Sequence, residues 1–311
     1  MRRLLTPFYN REERRLRALW RIALVAILSV LFVLPGGIAH YFLRPVLGPA
    51  LGPVAFALFE VWQAGAILGA VALGSRFFDR RPLAALGLRF RRRSYVNDLA
   101  FGFALGGALI TAILGVELVF GLSSVRLAEP TWEGWPRAAL TPLALLVFAG
   151  VSFNEELLFR GALLTNAAEG FEARWWSRPT AWVLATVVSS LIFGLAHAGN
   201  PEATPISTSN IALAGLFLAS GYLVTGELAL PFGLHLSWNW YQAVFGMPVS
   251  GNDFAWCASL VREVHGPVWL TGGAFGPEAG VTGLVAIAVG TLAIFGWARW
   301  TRGPLRVRAG R

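Results

Sequence analysis

Two adjacent glutamates, Glu155 and Glu156, interrupt a long apolar stretch at residues 140–164. Ionisable groups inside such a stretch are costly, and in membrane proteins they mark functional sites. Glu156 and Arg160 are four residues apart, a helical spacing that predicts an internal ion pair on one face. Glu155 points about 100° away from that face. The spacing therefore predicts a supporting ion pair beside a carboxylate that is free for chemistry.

Two further pairs of residues, each with a histidine, have the same helical spacing. Phe193 and His197 close one apolar segment, and His235 and Asn239 lie within another. Residues four apart share a helix face, so Phe193 can pack beside its imidazole and Asn239 can orient His235 or donate a hydrogen bond. Hydrogen bonding between helices explains any one of these residues. Costly polar clusters on three separate apolar segments instead predict a site.

These residue types suit hydrolysis. A carboxylate and an imidazole that share one water can take its proton and later pass it to a leaving amine. A second imidazole with an amide can stabilise the oxyanion that develops. A serine nucleophile is disfavoured because the chain has no Gly-x-Ser-x-Gly elbow.

A metal centre is the closest alternative chemistry. Two histidines and one or two glutamates can hold a zinc ion with an open position. The candidate ligands are Glu155, His197 and His235, although the usual His-Glu-x-x-His arrangement is absent. The residues alone leave this possible zinc cofactor open.

The composition indicates a polytopic helical membrane protein. Hydrophobic residues make up 56% of the chain and charged residues only 14%, against about 25% in a soluble domain. The net charge of +9 comes from arginines between apolar segments, where the positive-inside rule and anionic lipids explain them. We therefore expect membrane lipids, not nucleic acid, as partners. The single cysteine, Cys257, excludes an intramolecular disulfide and a multi-thiolate metal site.

Runs near or above about 20 apolar residues predict membrane spans. We place eight, at 18–43, 47–74, 97–122, 137–167, 180–198, 208–225, 228–247 and 281–299. Arginine clusters at residues 2–21, 76–93 and 299–311 then fall on one side, which the positive-inside rule makes cytoplasmic, together with both termini. The predicted fold is an all-α membrane protein with a catalytic helical bundle core.

The chain is predicted to have three parts. Residues 1–134 hold N-terminal spans and a basic cytoplasmic linker, residues 135–247 the core that carries the three motifs, and residues 248–311 an extra-membrane loop, the last span and a basic tail. Counted along straight helices at about 1.5 Å per residue, His235 lies roughly 10 Å, Glu155 roughly 20 Å and His197 nearly 30 Å from the cytoplasmic ends. Convergence of these side chains requires tilted helices, uneven helix ends or a buried loop.

The ordered motifs Glu-Glu-x-x-x-Arg, Phe-x-x-x-His and His-x-x-x-Asn resemble the CAAX-protease and bacteriocin-processing (CPBP, or Abi) family. This is a family of intramembrane endopeptidases that includes the Rce1-type prenyl-protein proteases. The motif-bearing core covers a little over a third of the chain. The linker from Arg81 to Arg89 also looks like a segment upstream of the core in bacterial members.

The resemblance implies roles for single residues. Glu155 and His197 would activate water, His235 and Asn239 would form the oxyanion site, and Glu156, Arg160 and Phe193 would support them. Members have been labelled metalloproteases, while the family's structural picture favours a glutamate-dependent mechanism, so the resemblance also leaves the metal open. The arginine-only basic residues favour a bacterial protein of the inner membrane.

The preferred function is cleavage of a membrane-associated peptide or protein tail. The first alternative is a non-catalytic membrane immunity or scaffold protein that binds a peptide in the same pocket. The second is a transporter that uses Glu155 and the histidines as a proton or metal relay, although the chain shows no internal repeat of the kind many transporters have.

Overall fold

A computed structural model describes residues 8–10, 13–90, 93–172 and 176–310. Several arginines of the predicted basic clusters (Arg2, Arg3, Arg11, Arg91, Arg92 and Arg311) lie outside these ranges. The α-helices are α1 (Ala18–Leu73), α2 (Arg93–Val119), α3 (Arg137–Glu155), α4 (Thr165–Phe171), α5 (Arg178–Ala196), α6 (Pro205–Thr225), α7 (Ala229–Val244), α8 (Val268–Thr271) and α9 (Val281–Arg302). Short strands pair as β1 (Tyr9–Asn10) with β2 (Arg15–Leu16), β3 (Ser123–Leu127) with β6 (Leu260–Val264), and β4 (Thr131–Trp132) with β5 (Trp135–Pro136).

Helix α1 is a hairpin of two antiparallel halves. Its backbone is non-helical at Gly48, where φ is +65°. Beyond that point the chain returns along itself, because the Trp62 indole donates a hydrogen bond to the Phe32 carbonyl at 3.1 Å. A Cβ on Gly36 would lie 2.1 Å from the Trp62 ring, so only glycine allows this approach. The two halves correspond to the first two predicted spans.

The all-α polytopic membrane fold is confirmed. Each of the eight predicted spans lies mainly on a helix, although the seventh, at 228–247, corresponds to α7, which is not among the segments long enough to cross a membrane. Six continuous helical segments are long and apolar enough to cross a membrane, in the part of the chain that the structure describes: 18–79, 93–119, 137–171, 178–196, 205–225 and 281–302. The first of these contains both halves of the hairpin, and α7, with 16 residues, is shorter than the other predicted spans.

Helices α2 and α7 pack through glycines. A Cβ on Gly102 would lie 2.3 Å from the Leu230 carbonyl oxygen, and one on Gly106 would lie 2.2 Å from the Ser237 hydroxyl. Small residues spaced four apart let membrane helices approach closely enough for extensive van der Waals contact. Because α7 carries His235 and Asn239, this contact fixes one half of the predicted site.

The arginine-rich segments meet at one end of the bundle. Arg21, with a buried side chain, contacts Asp79 at 3.3 Å and Glu169 at 2.8 Å. Arg178 at the start of α5 donates to the Gly310 carbonyl at 3.1 Å. These contacts bring the start of α1, the segment after it, the end of α4 and the C-terminal tail together, as the predicted topology requires.

The loop at 248–280 covers the opposite end. Strand β6 within it pairs antiparallel with β3, which follows α2. The buried carboxylate of Glu117, near the end of α2, accepts hydrogen bonds from Ser123 at 3.0 Å and from Arg262 at 2.8 Å. The loop is thereby fixed on the bundle.

We predict that Gly106→Leu destabilises the protein, because an added side chain must push α7 away from α2. Overpacking of this kind costs about 1–3 kcal/mol. Thermal unfolding in detergent should show a lowered midpoint. The matched control is Gly115→Leu on the same helix, where a Cβ would meet nothing within 4 Å. Equal shifts in both variants would contradict the packing account.

Candidate active site

The acidic motif lies where the helix changes its winding. Helix α3 ends at Glu155, and a π-helix runs from Glu156 to Leu164 before α4 continues the same segment. The sequence prediction assumed regular α-helical winding here. Wider π turns are frequent at functional sites. The two carboxylates nevertheless diverge as predicted, since Glu156 contacts Arg160 and Glu155 lines a cavity.

Glu156 joins two buried partners. Its Oε1 atom accepts hydrogen bonds from Arg160 and from His235 Nδ1, each at 2.9 Å. Glu156 and Arg160 are each only 1% exposed. The predicted ion pair is therefore present. The bond to His235 was not predicted, because the sequence gives no spacing between separate helices.

The Phe193 ring contacts the guanidinium of Arg160 and both imidazoles. The Arg160 Cζ atom lies 4.4 Å from the centre of the Phe193 ring, a cation–π contact. The same ring lies 4.7 Å from His197 and 6.2 Å from His235, measured between ring centres. The predicted packing of Phe193 beside His197 is present, and Phe193 also contacts the second histidine.

Each oxygen of Glu155 faces one imidazole nitrogen. His197 follows the last residue of α5, and its Nδ1 lies 2.8 Å from the Phe193 carbonyl oxygen. A carbonyl only accepts, so Nδ1 carries the hydrogen and Nε2 is directed to Glu155 Oε1 at 3.9 Å. His235 Nε2 lies 3.8 Å from Glu155 Oε2. Both gaps exceed the length of a direct hydrogen bond, which leaves both nitrogens available to a reactant.

Uneven helix ends explain how the three side chains meet at one depth. The turn between α6 and α7 is recessed beneath other chain segments. Leu228 donates its backbone N–H to the Gly87 carbonyl of the basic linker at 3.0 Å. A Cβ on Gly226 would lie 2.8 Å from the Arg308 carbonyl oxygen of the tail. Helix α7 therefore begins inside the bundle, which moves His235 toward Glu155 and His197.

A cavity of about 320 Å³ contains the predicted residues. Glu155, His197, His235 and Asn239 all line it. Aromatic side chains form much of the remaining wall: Phe56, Phe148, Phe159, Phe217, Trp238 and Phe254. The structure thus brings together every predicted catalytic side chain, with the supporting Glu156, Arg160 and Phe193 beside them.

A second carboxylate on the cavity wall, Glu278, was not predicted from the sequence. It follows the loop strand β6 and is 5% exposed. Its Oε1 accepts from the Trp238 indole at 3.2 Å, and its Oε2 accepts from the Ser250 backbone N–H at 2.8 Å and hydroxyl at 3.0 Å. Burial raises the pKa of Glu278 above its ordinary value, and the bonds from Ser250 oppose that rise. A Gly-rich loop has no helical or strand periodicity from which the position of Glu278 could be predicted.

The donor types at Glu155, His197 and His235 fit zinc, but their spacing does not fit as it stands. Ligands of one tetrahedral zinc lie about 3.4 Å apart, given metal–ligand bonds of about 2.0–2.1 Å. The nitrogen–oxygen separations here are 3.8 and 3.9 Å. Within the described ranges, no three His, Cys, Asp or Glu side chains are arranged to hold a metal ion. Zinc binding would require these side chains to move closer together.

The comparison with protein families agrees with the motifs. Residues 136–241 match the family model described as type II CAAX prenyl endopeptidase Rce1-like. Over these residues the chain is similar to the Rce1-like family. The match covers about a third of the chain and includes every motif residue from Glu155 to Asn239. No curated protein and no solved structure matches the chain. The resemblance is confirmed, and it supports endopeptidase activity of the CAAX type in general terms.

We predict that Glu156→Ala destabilises the protein by about 3–5 kcal/mol, because it leaves the buried Arg160 without a carboxylate. The double variant Glu156→Leu/Arg160→Met removes both charges and should recover most of this loss. Thermal midpoints of the wild type, Glu156→Leu, Arg160→Met and the double variant measure the coupling. If the decreases in thermal midpoint of the single variants add up to that of the double variant, Glu156 and Arg160 do not stabilise the protein as a coupled pair.

Proposed function

We propose that the protein is an intramembrane endopeptidase that hydrolyses a peptide bond in a membrane-associated peptide or protein tail. The observation that carries this proposal is the pairing of each Glu155 oxygen with one imidazole Nε2 inside an aromatic cavity. The Rce1-like match over the same residues supports it.

Glu155 and His197 are proposed to activate the attacking water. The Nδ1–H of His197 is held by the Phe193 carbonyl, so its Nε2 lone pair is oriented toward Glu155. A water between them can give a proton to the carboxylate while its oxygen attacks the carbonyl carbon. The proton then passes to the leaving amine, the general acid–base cycle that contributes about 10²–10⁴-fold to a rate.

His235 and Asn239 are proposed to stabilise the oxyanion. Glu156 fixes the His235 ring through Nδ1, which directs Nε2 into the cavity. To donate from both nitrogens the ring must carry two protons, and Glu155 and Glu156 flank that positive charge. Asn239, one turn further along α7, offers an amide donor on the same wall. Removal of one such donor typically costs about 10²–10³ in kcat.

The cavity also indicates which part of a substrate enters it. Its volume of about 320 Å³ and its aromatic wall suit a few apolar side chains. Among the described lining residues there is no Arg or Lys, whereas Glu155 and Glu278 are both present. A free C-terminal carboxylate would find no cation among these lining residues other than the His235 ring, which is assigned to the oxyanion. We therefore propose an apolar segment whose terminal carboxylate stays outside the cavity.

A zinc-dependent version of this reaction is not proposed. Glu155, His197 and His235 carry atoms of the types that bind zinc, but the separations between these atoms are longer than one tetrahedral ion requires. The orientation of the two imidazoles by the Phe193 carbonyl and by Glu156 is a property of the chain itself.

We propose the inner membrane of a bacterium as the location, with both termini cytoplasmic, by the positive-inside rule. Cavity residues Asn200, Ser250 and Glu278 belong to loops at the end opposite the arginine-rich one. In this orientation the cavity lies in the half of the membrane away from the cytoplasm. We also propose residues 135–247 as the catalytic unit, with lipids as surroundings.

The test is cleavage of membrane-tethered peptides by the purified protein in lipid nanodiscs. The library should contain each apolar peptide with a free and an amidated C-terminus. We expect Glu155→Gln to reduce kcat by about a thousandfold, with little change in the thermal midpoint. The matched control is Glu263→Gln in exposed strand β6, whose carboxylate lies 4.0 Å from Arg126 and outside the cavity. Amidation should leave cleavage unchanged.

Three other outcomes would change the account. Full activity of Glu155→Gln would refute the proposed mechanism. Loss of wild-type cleavage with a strong chelator, restored by zinc, would assign the metal-dependent version. Peptide binding without cleavage by the wild type, retained in Glu155→Gln, would favour an immunity or scaffold role.

A further inference from the structure

Ser250 has a backbone conformation that side chains rarely adopt. Its φ is +47°, in the left-handed region that favours glycine. Such a conformation costs free energy and persists only where the surroundings determine it, often at functional sites. Ser250 belongs to residues 249–252, which we call the strap. Val249, Ser250 and Asn252 of the strap line the cavity.

The strap is clamped from both sides. The Ser250 carbonyl accepts a hydrogen bond from Asn200 Nδ2 at 2.8 Å, which ties the strap to the loop after His197. The Gly251 backbone N–H donates to the Phe275 carbonyl at 2.8 Å. A Cβ on Gly251 would lie 1.9 Å from the Pro201 carbonyl oxygen. The strap thus lies between the end of α5 and the turn before Glu278.

Glu278 connects the strap to α7. Its Oε2 accepts hydrogen bonds from the backbone N–H and the hydroxyl of Ser250. Its Oε1 accepts a hydrogen bond from the indole of Trp238, the residue directly before Asn239. One buried carboxylate therefore holds the strained residue of the strap and the part of α7 that carries the proposed oxyanion donor.

We propose that Glu278 is a positioning residue of the peptidase site, which holds the strap and the Trp238–Asn239 turn against the bound peptide. The inference rests on the proposed function. It assigns a part of the site to the loop outside the Rce1-like segment 136–241. Glu278 acts through Ser250 and Trp238, and it transfers no proton in the reaction.

The chain offers a matched pair of variants. Ser250→Ala removes one hydroxyl donor to the buried carboxylate Glu278, at 3.0 Å. Ser123→Ala removes one hydroxyl donor to the buried carboxylate Glu117, also at 3.0 Å and at the same end of the bundle. Neither Ser123 nor Glu117 lines the cavity. Both variants lose the same kind of bond, but only Ser250→Ala changes the strap.

A third variant acts on Glu278 itself. In Glu278→Gln the amide oxygen can satisfy Trp238 or Ser250 but not both, because the amide nitrogen is a donor. The side-chain volume is kept. This variant should break the hydrogen bonds of Glu278 either to Trp238 or to Ser250, while the side chain still occupies the same place in the cavity wall.

The experiment combines peptide cleavage with hydrogen exchange of the full-length protein in nanodiscs. We expect kcat/KM to fall about tenfold or more in Glu278→Gln and several-fold in Ser250→Ala, since small misplacements of a bound substrate cost large factors in rate. Ser123→Ala should stay within about twofold of the wild type. Amide exchange should rise at residues 249–252 in the first two variants and in the β3–β6 region in Ser123→Ala.

Two results would overturn the proposal. One is unchanged exchange of the strap in Glu278→Gln. The other is an equal loss of activity in Ser250→Ala and Ser123→Ala at equal thermal midpoints, which would make the contact merely structural. If the wild type cleaves no peptide at all, the proposed function fails, and the exchange measurement still decides whether Glu278 holds the strap.

Discussion

The structure depends on one buried carboxylate that accepts hydrogen bonds from a guanidinium and an imidazole on two different helical segments. Glu156 accepts one hydrogen bond from Arg160 in its own helical segment and one from His235 on α7. Burial of such a group is tolerable only when its hydrogen bonds are made. That requirement fixes the rotation of α7 against the π-helical segment, and the rotation in turn places His235 Nε2 opposite Glu155. The ion pair thus also orients the His235 imidazole, which is proposed to act in catalysis.

Other parts of the fold serve the same placement. The glycine contacts between α2 and α7 allow α7 to lie deep in the bundle. The basic linker and the C-terminal tail cover its first turn, so α7 need not reach the end of the bundle. Phe193 packs against Arg160 and against both histidines, which holds these three side chains in place against one ring. Positioning of Glu155 against both imidazoles follows from these contacts together.

Local spacing was enough to predict much of this arrangement. Apolar runs located the helices, and positions four apart predicted the contacts of Glu156 with Arg160 and of Phe193 with His197. Contacts between elements far apart in sequence could not be predicted in this way. The bond from His235 to Glu156 depends on helix rotation, the π-helix depends on tertiary packing, and Glu278 reaches the cavity through a loop whose path has no sequence period. The straight-helix depths of the three catalytic candidates disagreed, and the recessed start of α7 agrees with one of the expected explanations, uneven helix ends.

We propose that Glu155 and the two imidazoles act on one peptide carbonyl. An experimental structure of Glu155→Gln in lipid with an uncleaved apolar peptide bound would test this directly. We expect the scissile carbonyl carbon to lie beside residue 155 and His197, with its oxygen directed to His235 and Asn239. A peptide bound outside the cavity, or one whose carbonyl oxygen points away from His235 and Asn239, would contradict it.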